Sequence, residues 1–222
     1  MATMTYHDEK VSGQQHVPGD ETLRSVLGTA VRYTLITTVL LGIAYPLLIT
    51  GIAQLTMPYK ADGQLIVRNG QVIGSKIIAQ DFTGPTYFHE RPSDAGNGYD
   101  AANSGGSNLA PTNRVLVTRV DASVADWHKI DPGAKGPVPI GLVTTSASGL
   151  DPDISPEGAY YQVPMVAAAR HLPIATVRAL VKAHIQGRDL GFLGEPRVNV
   201  LELNLALDAL SASQPASKPA AK

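Results

Sequence analysis

Asp151 and Asp153 lie two residues apart in Gly149-Leu150-Asp151-Pro152-Asp153. Paired carboxylates can hold a cation or pass protons, while Asp-Pro steps also build turns. Just before them, Ser146 and Ser148 would be nucleophiles only beside a base, and the sequence offers no evident one. The run Ser104-Gly105-Gly106-Ser107-Asn108, entered through Asn103, can present backbone N–H groups and hydroxyls to an anion or phosphate. It can equally form a rigid turn held by its own Asn and Ser side chains. No two of His89, His128, His171 and His184 have metal-ligand spacing, so no metal site is expected. Gly96-x-Gly98-x-x-Ala101 imitates a dinucleotide fingerprint but follows no strand. The frames G-x-S-x-G, H-E-x-x-H and Walker A do not occur.

The elements that must place these residues are readable in outline. Leu65-Ile66-Val67 and Val72-Ile73 flank Asn69-Gly70, a two-residue turn signal, so Gln64–Ile78 is expected to be a hairpin. Residues 85–112 are dense in Gly, Pro, Asn and Ser and read as a long loop, which is uncommon unless it is functional or pinned. Leu116, Val120, Val124 and Trp127 share one face of an expected helix over 115–127. Val138–Thr145 reads as a buried strand. Ser155-Pro156-Glu157 starts a helix that Pro164 is expected to interrupt. Ile174, Val177, Val181 and Ile185 stripe a second helix ended by Gly187, and Arg197–Leu203 alternates as a strand before a helical turn over 205–210. The order suggests an α+β domain with a mixed sheet and helices.

Ahead of this domain runs an uncharged stretch from Tyr33 to Tyr59, 27 residues long. As a helix it spans roughly 40 Å, against about 30 Å of bilayer hydrocarbon. A single crossing cannot enclose a pore, so the chain is an anchored domain or the accessory part of something larger. A cleaved signal peptide is the competing reading, since Gly51-Ile52-Ala53 loosely fits a cleavage site, but the apolar run is long for one. Thr34, Thr38, Gly42, Pro46, Thr50 and Gln54 recur at every fourth position as a ridge suited to a partner helix, although such residues are also ordinary in membrane helices. Arg24 and Arg32 before the run balance Lys60 and Arg68 after it, so charge does not orient the chain.

The chain has no cysteine, which an oxidising exterior permits. Beyond Met57, fifteen basic residues meet fifteen acidic ones, which gives no electrostatic reason to bind nucleic acid. Residues 1–22, with His7 and His16, are expected to be a disordered tail, and residues 211–222 a loose one.

Several blocks now stand together. They are Tyr45-Pro46-Leu47 with Thr50-Gly51-Ile52-Ala53-Gln54; Tyr87-Phe88-His89-Glu90-Arg91-Pro92-Ser93; Ser104-Gly105-Gly106-Ser107-Asn108-Leu109; Val143 through Pro152; and Ile154-Ser155-Pro156. Gly191-Phe192-Leu193-Gly194-Glu195-Pro196-Arg197-Val198-Asn199-Val200-Leu201 and Leu203-Asn204-Leu205-Ala206-Leu207-Asp208 close the chain. In this order, over about residues 24–210, they closely resemble the C-subunit family (KdpC) of the bacterial Kdp potassium-transporting ATPase. The sequence departs from that pattern at Asp62, Glu90, Gly141, Asp153 and Met165, where Asn, Gly, Asp, His and Arg are expected.

The resemblance implies a high-affinity potassium-uptake complex in the bacterial inner membrane. Its partners would be a KdpA-like channel subunit, a KdpB-like P-type ATPase subunit, a small KdpF-like subunit and membrane lipid. This chain would be the non-catalytic accessory subunit, with no cofactor of its own; ATP and potassium belong to the partners. It implies a cytoplasmic tail at 1–22, a transmembrane helix over 33–57, a periplasmic α+β domain over 60–210 and a loose tail beyond it. The domain would cover the potassium entrance, with Tyr87, Arg91, Asp94, Asp100, Asn108 and Asn113 in the contacting loop. Glu90, Asp94 and Asp100 would concentrate cations there or be ordinary solvated charges. The family is also credited with raising the ATP affinity of the catalytic subunit, as a catalytic chaperone. Ser104-Gly105-Gly106 resembles part of the signature loop of ABC-type ATPases, which makes Ser104–Asn108 the candidate nucleotide or anion loop. A periplasmic position speaks against direct contact with ATP. A signal-anchored periplasmic enzyme built on Ser146 and Ser148, and a free-standing binding module, are the alternatives.

Overall fold

A computed structural model describes residues 23–134 and 136–213. The expected tail at 1–22 and the residues beyond 213 lie outside the described part. The chain divides into two compact units, Met1–Pro58 and Tyr59–Lys222.

In the first unit one helix runs from Leu23 to Thr56, 34 residues, long and apolar enough to cross a membrane. It begins ten residues ahead of the uncharged run, so Arg24 and Arg32 are helical too. It is α-helical over Leu23–Thr37 (α1) and Tyr45–Thr56 (α2), with a π-helical turn over Thr38–Ala44 between them. Pro46 explains the change of pitch. It has no N–H to return to the preceding turn, and the Tyr45 N–H bonds back five residues to the Leu40 carbonyl. The hydroxyls of Thr37 and Thr56 bond to the carbonyls of Tyr33 and Ile52, both at 2.8 Å, so neither needs water. A row at every fourth residue drifts about 40° per step around an α-helix. The wider turn takes up one more residue and turns the row back by about 100°. Thr38 and Gly42 accordingly sit side by side, the Thr38 methyl 3.8 Å from where a Cβ on Gly42 would stand.

A short turn, α3 (Pro58–Ala61), leads into the second unit, where β1 (Leu65–Arg68) and β2 (Gln71–Ser75) form the expected hairpin. Asn69 and Gly70 both take positive φ, 52° and 77°, the geometry that turns a two-residue hairpin. After a long segment without regular structure comes α4 (Arg114–Ile130), capped by Asn113, whose side chain accepts from the Val115 N–H at 2.9 Å. Its expected face turns inward, and Val120, Val124 and Trp127 meet the core.

The rest is an α+β assembly of β3 (Asp153–Ile154), α5 (Pro156–Ala169), α6 (Ile174–Ala183), β4 (Ile185–Gln186), β5 (Arg197–Asn199) and α7 (Val200–Ser213). The α+β class stands as expected, but the sheet is not mixed. Among the described residues β5 lies between β3 and β4 with both pairings antiparallel, separate from the antiparallel hairpin. Val163, Val166, Val177, Val181, Val198, Leu203 and Leu207 are fully buried and form the centre of the core with Phe88 and Leu142.

Four local expectations are corrected. Residues 138–145 form no strand: Pro139 lacks an N–H, a tight 3-10 turn follows at Ile140–Leu142, and Pro139, Leu142 and Val143 are buried while Ile140 is exposed, which is not a strand's alternation. Pro164 does not interrupt α5; it lies on the exposed side, where the released carbonyl can meet water, while Val163, Val166 and Ala167 pack both turns into the core. The second helix ends at His184 rather than Gly187, and Ile185 joins the sheet opposite Val198. The strand at 197 stops at Asn199, whose side chain accepts from the Glu202 N–H at 3.1 Å and caps α7. Val200, Leu203, Asn204 and Leu207 then bury at helical spacing, with Leu201 beside them.

Candidate functional site

The residues singled out by their chemistry converge on two irregular segments, 79–113 and 143–153, fastened to each other and to the helices beneath. Two buried amides do most of the fastening. Asn204 on α7 accepts from the Phe88 N–H and donates to the Phe88 carbonyl, both at 2.9 Å. Gln162 on α5 does the same for His89, at 2.7 and 3.0 Å. The chain at 88–89 thus has the hydrogen bonds of a strand without a neighbouring strand, which lets it pass through the core with no polar group stranded. Arg170 holds the preceding turn, bonding to the Thr86 carbonyl, to Asp208 at 2.8 Å, and lying 4.6 Å over the Tyr87 ring.

Ser93 and Gly149 join the two segments. The Ser93 hydroxyl donates to the Gly149 carbonyl at 2.6 Å and accepts from the N–H groups of Ala95 and Tyr99. Gly149 has φ of +68°, and a Cβ there would lie 2.6 Å from both the Ala95 nitrogen and the Gly105 carbonyl oxygen. Only glycine fits.

The candidate anion loop lies in this seam. The Gly105 N–H and the Ser104 hydroxyl both donate to the Ser148 carbonyl, at 2.9 Å each, and Gly106 presses on the backbone of Ala147. The Ser107 hydroxyl accepts from the Leu109 N–H, and Asn108 takes a positive φ of 51°. Ser146 and Ser148 accept the N–H groups of Gly149 and Leu150, and their hydroxyls lie 3.3 Å apart. Asp151 bonds to Arg91 at 3.1 Å and accepts the Asp153 N–H, as an Asp-Pro turn does. Asp153 pairs with Arg197 at 3.3 Å and accepts from Asn199. Burial nevertheless holds its carboxyl above the usual carboxylate range, against the Asn199 hydrogen bond.

The entrance-loop residues are also engaged within the domain. Arg91 donates to the Thr144 and Thr145 carbonyls besides Asp151, Asp94 pairs with Arg119, and Asn113 caps α4. Tyr87 stacks on Arg170. Asp100 accepts from the Asn103 side chain and the Ala102 N–H, which hold its carboxyl below the usual range. His89 donates to the Gly84 carbonyl at 2.7 Å and its ring meets Trp127 at 5.3 Å. Gly96 and Gly98 take positive φ in a surface turn, not a nucleotide-binding strand-to-helix junction. Among the described residues no group of three or more His, Cys, Asp or Glu could hold a metal ion.

Glu90 is different in kind. It is 4% exposed and lines a cleft of about 310 Å³ between residues 81–99 and α4. One carboxyl oxygen accepts the Gln80 N–H at 3.1 Å; the other has no partner. Burial first, then the carboxylates of Asp151, Asp153 and Asp81, raise its pKa to about 8, against the Gln80 hydrogen bond. Burial also pushes the neighbouring Tyr99 phenol upward, with Glu90 adding to it. From the sequence Glu90 is a cation-concentrating or an ordinary solvated loop charge, Ser93 and Asn204 stand only within the resembling blocks, and Gln162 has no role. The partners of Gln162 and Asn204, and the Gly149 carbonyl that Ser93 holds, are distant in the chain.

The fold and site together define a single-anchor α+β domain whose distinctive residues hold two loops in fixed register. Comparison with known proteins names its family. The family model described as KdpC, the c chain of the K+-transporting ATPase, matches residues 27–209. A protein of Acidobacterium capsulatum named potassium-transporting ATPase KdpC subunit is 59% identical over 184 residues, 83% of this chain and 98% of its own. Proteins of the same name from Koribacter versatilis and Rhodospirillum rubrum are 56% and 54% identical, covering 89% and 84% of this chain and 100% and 95% of theirs. The chain belongs to the KdpC family of potassium-transporting ATPase subunits.

Proposed function

We propose that the chain is a non-catalytic accessory subunit of an ATP-driven potassium-uptake complex in the bacterial inner membrane. It docks on a channel-like and a P-type ATPase subunit, stabilises the assembly, and covers the periplasmic potassium entrance with its 87–113 loop. The observation that carries this reading is the anchor. No described residue from Leu23 to Thr56 is buried, and the helix bears a row of small and hydroxyl residues that its π turn keeps from winding away. Such a surface suits close packing by another helix. The second unit supports the same reading, since a loop held by buried amides is rigid before any partner arrives. Its charged residues Arg91 and Asp94 and the neutral cap Asn113 act by holding that loop's shape, because each already has a partner.

Potassium and ATP are handled by the partner subunits. Any effect on ATP affinity travels through subunit contact, because the Gly105 N–H and Ser104 hydroxyl are occupied by Ser148. The test is Gly42→Leu in the full complex. Around Gly42 only the Thr38 methyl, at 3.8 Å, comes near an added Cβ, so the isolated chain accommodates the change. Reduced co-purification of the partners with an intact outer domain is expected; undiminished recovery would refute docking through this row.

A further inference from the structure

The cleft around Glu90 plays no part in the function proposed above. Its walls carry three acidic residues, Asp81, Glu90 and Asp126, the imidazole of His89 bonded to the Gly84 carbonyl, the aromatic rings of Phe82, Tyr99 and Trp127, and no lysine or arginine. Asp126 has an exposed ion pair with Lys129 outside the lining. Glu90 is the buried member, and one of its oxygens lacks any hydrogen-bond partner. The charged groups around it are the carboxylates of Asp81, Asp151 and Asp153, the latter two tied to Arg91 and Arg197. A buried polar atom without a partner is costly, and carboxyl groups beside aromatic faces, once ionised, attract a cation that can both donate hydrogen bonds and lie against rings.

We propose that this cleft binds a small primary alkylammonium ion, its N–H groups on Glu90 and its alkyl chain along the aromatic wall. The volume, about 310 Å³, admits a short amine and no macromolecular ligand. Binding favours the ionised form of Glu90, so at neutral pH the ligand drives a proton off the carboxyl.

The experiment is calorimetric titration of the full-length chain in mild detergent with butylammonium chloride, at ionic strength fixed with sodium chloride. Saturable binding is expected, with up to one proton released at pH 7, read from the dependence of the heat on the buffer's ionisation enthalpy. Glu90→Gln is expected to weaken binding at least tenfold. Ser123→Phe, which fills the cleft from α4, should do the same without altering the carboxyl. Trp127, the single tryptophan of the chain, reports whether each variant is folded. If Glu90→Gln does not fold, proton release and Ser123→Phe decide. Absence of saturation, binding without proton release, or binding unchanged by either folded variant overturns the proposal. So does equal competition by potassium chloride, which would mark a site for any monovalent cation.

Discussion

Replacing Glu90 by Gln should change how the stability of the outer domain depends on pH. The folded protein holds the Glu90 proton up to about pH 8, whereas the unfolded chain releases it above its ordinary value near 4.5. The folded state therefore binds more protons between these values, and stability falls as pH rises through that window. At about 1.4 kcal/mol per pH unit, the loss from this group is under 1 kcal/mol at pH 5 and about 3 kcal/mol at pH 7. Glutamine has nothing to release. Its carbonyl can keep the Gln80 hydrogen bond, and any cost of burying the amide is the same at every pH. Asp153, also raised by burial, contributes a slope of the same sign that remains in both proteins and cancels in the difference. The assay is urea unfolding of the full chain in mild detergent, followed by the fluorescence of buried Trp127. With a urea slope of about 2 kcal/mol per molar, the wild-type midpoint should drop by roughly 1.5 M more than that of Glu90→Gln between pH 4.5 and 7. Parallel midpoint-against-pH curves for the two proteins would refute the reasoning.

Other substitutions test the fastening of the loops. Gly149→Ala puts a Cβ 2.6 Å from two backbone atoms at a positive φ, and should cost at least about 3 kcal/mol by the same unfolding assay. Gln162→Leu removes both partners of the His89 backbone in the core, and should cost about 2–4 kcal/mol while leaving the anchor helix intact by circular dichroism. A cost under 1 kcal/mol in either case would mean that the loops are held by something else.

Signals confined to a few neighbouring residues were legible in the sequence. Asn69-Gly70 dictated the hairpin, Ser155 caps α5 by accepting the Gly158 N–H, and the spacing of Val120, Val124 and Trp127 gave the inward face of α4. Where two periodicities fit one run, the strand expected over 197–203 holds only for Arg197–Asn199. Val198, Val200, Leu201 and Leu203 satisfy both strand and helix, and the Asn199 cap settles the matter for the helix. The seam between the loops had no local signature, because its bonds join residues as distant as Ser93 and Gly149, and the amide beneath Phe88 comes from Asn204. Glu90 was illegible for the same reason. Only burial against α4 and the proximity of three aspartates, two of them about sixty residues later, distinguish it from a surface charge. The glycines of 104–108 matched an anion loop in composition, and what they touch is protein backbone.

The central claim is that this chain works as a docked subunit. Its most direct test is isolation of the chain from its native membranes in mild detergent, with mass-spectrometric identification of what accompanies it. Recovery in a stable complex with a P-type ATPase and a potassium-channel-like subunit is expected. Recovery of the chain alone, under conditions that leave other membrane complexes intact, would contradict it.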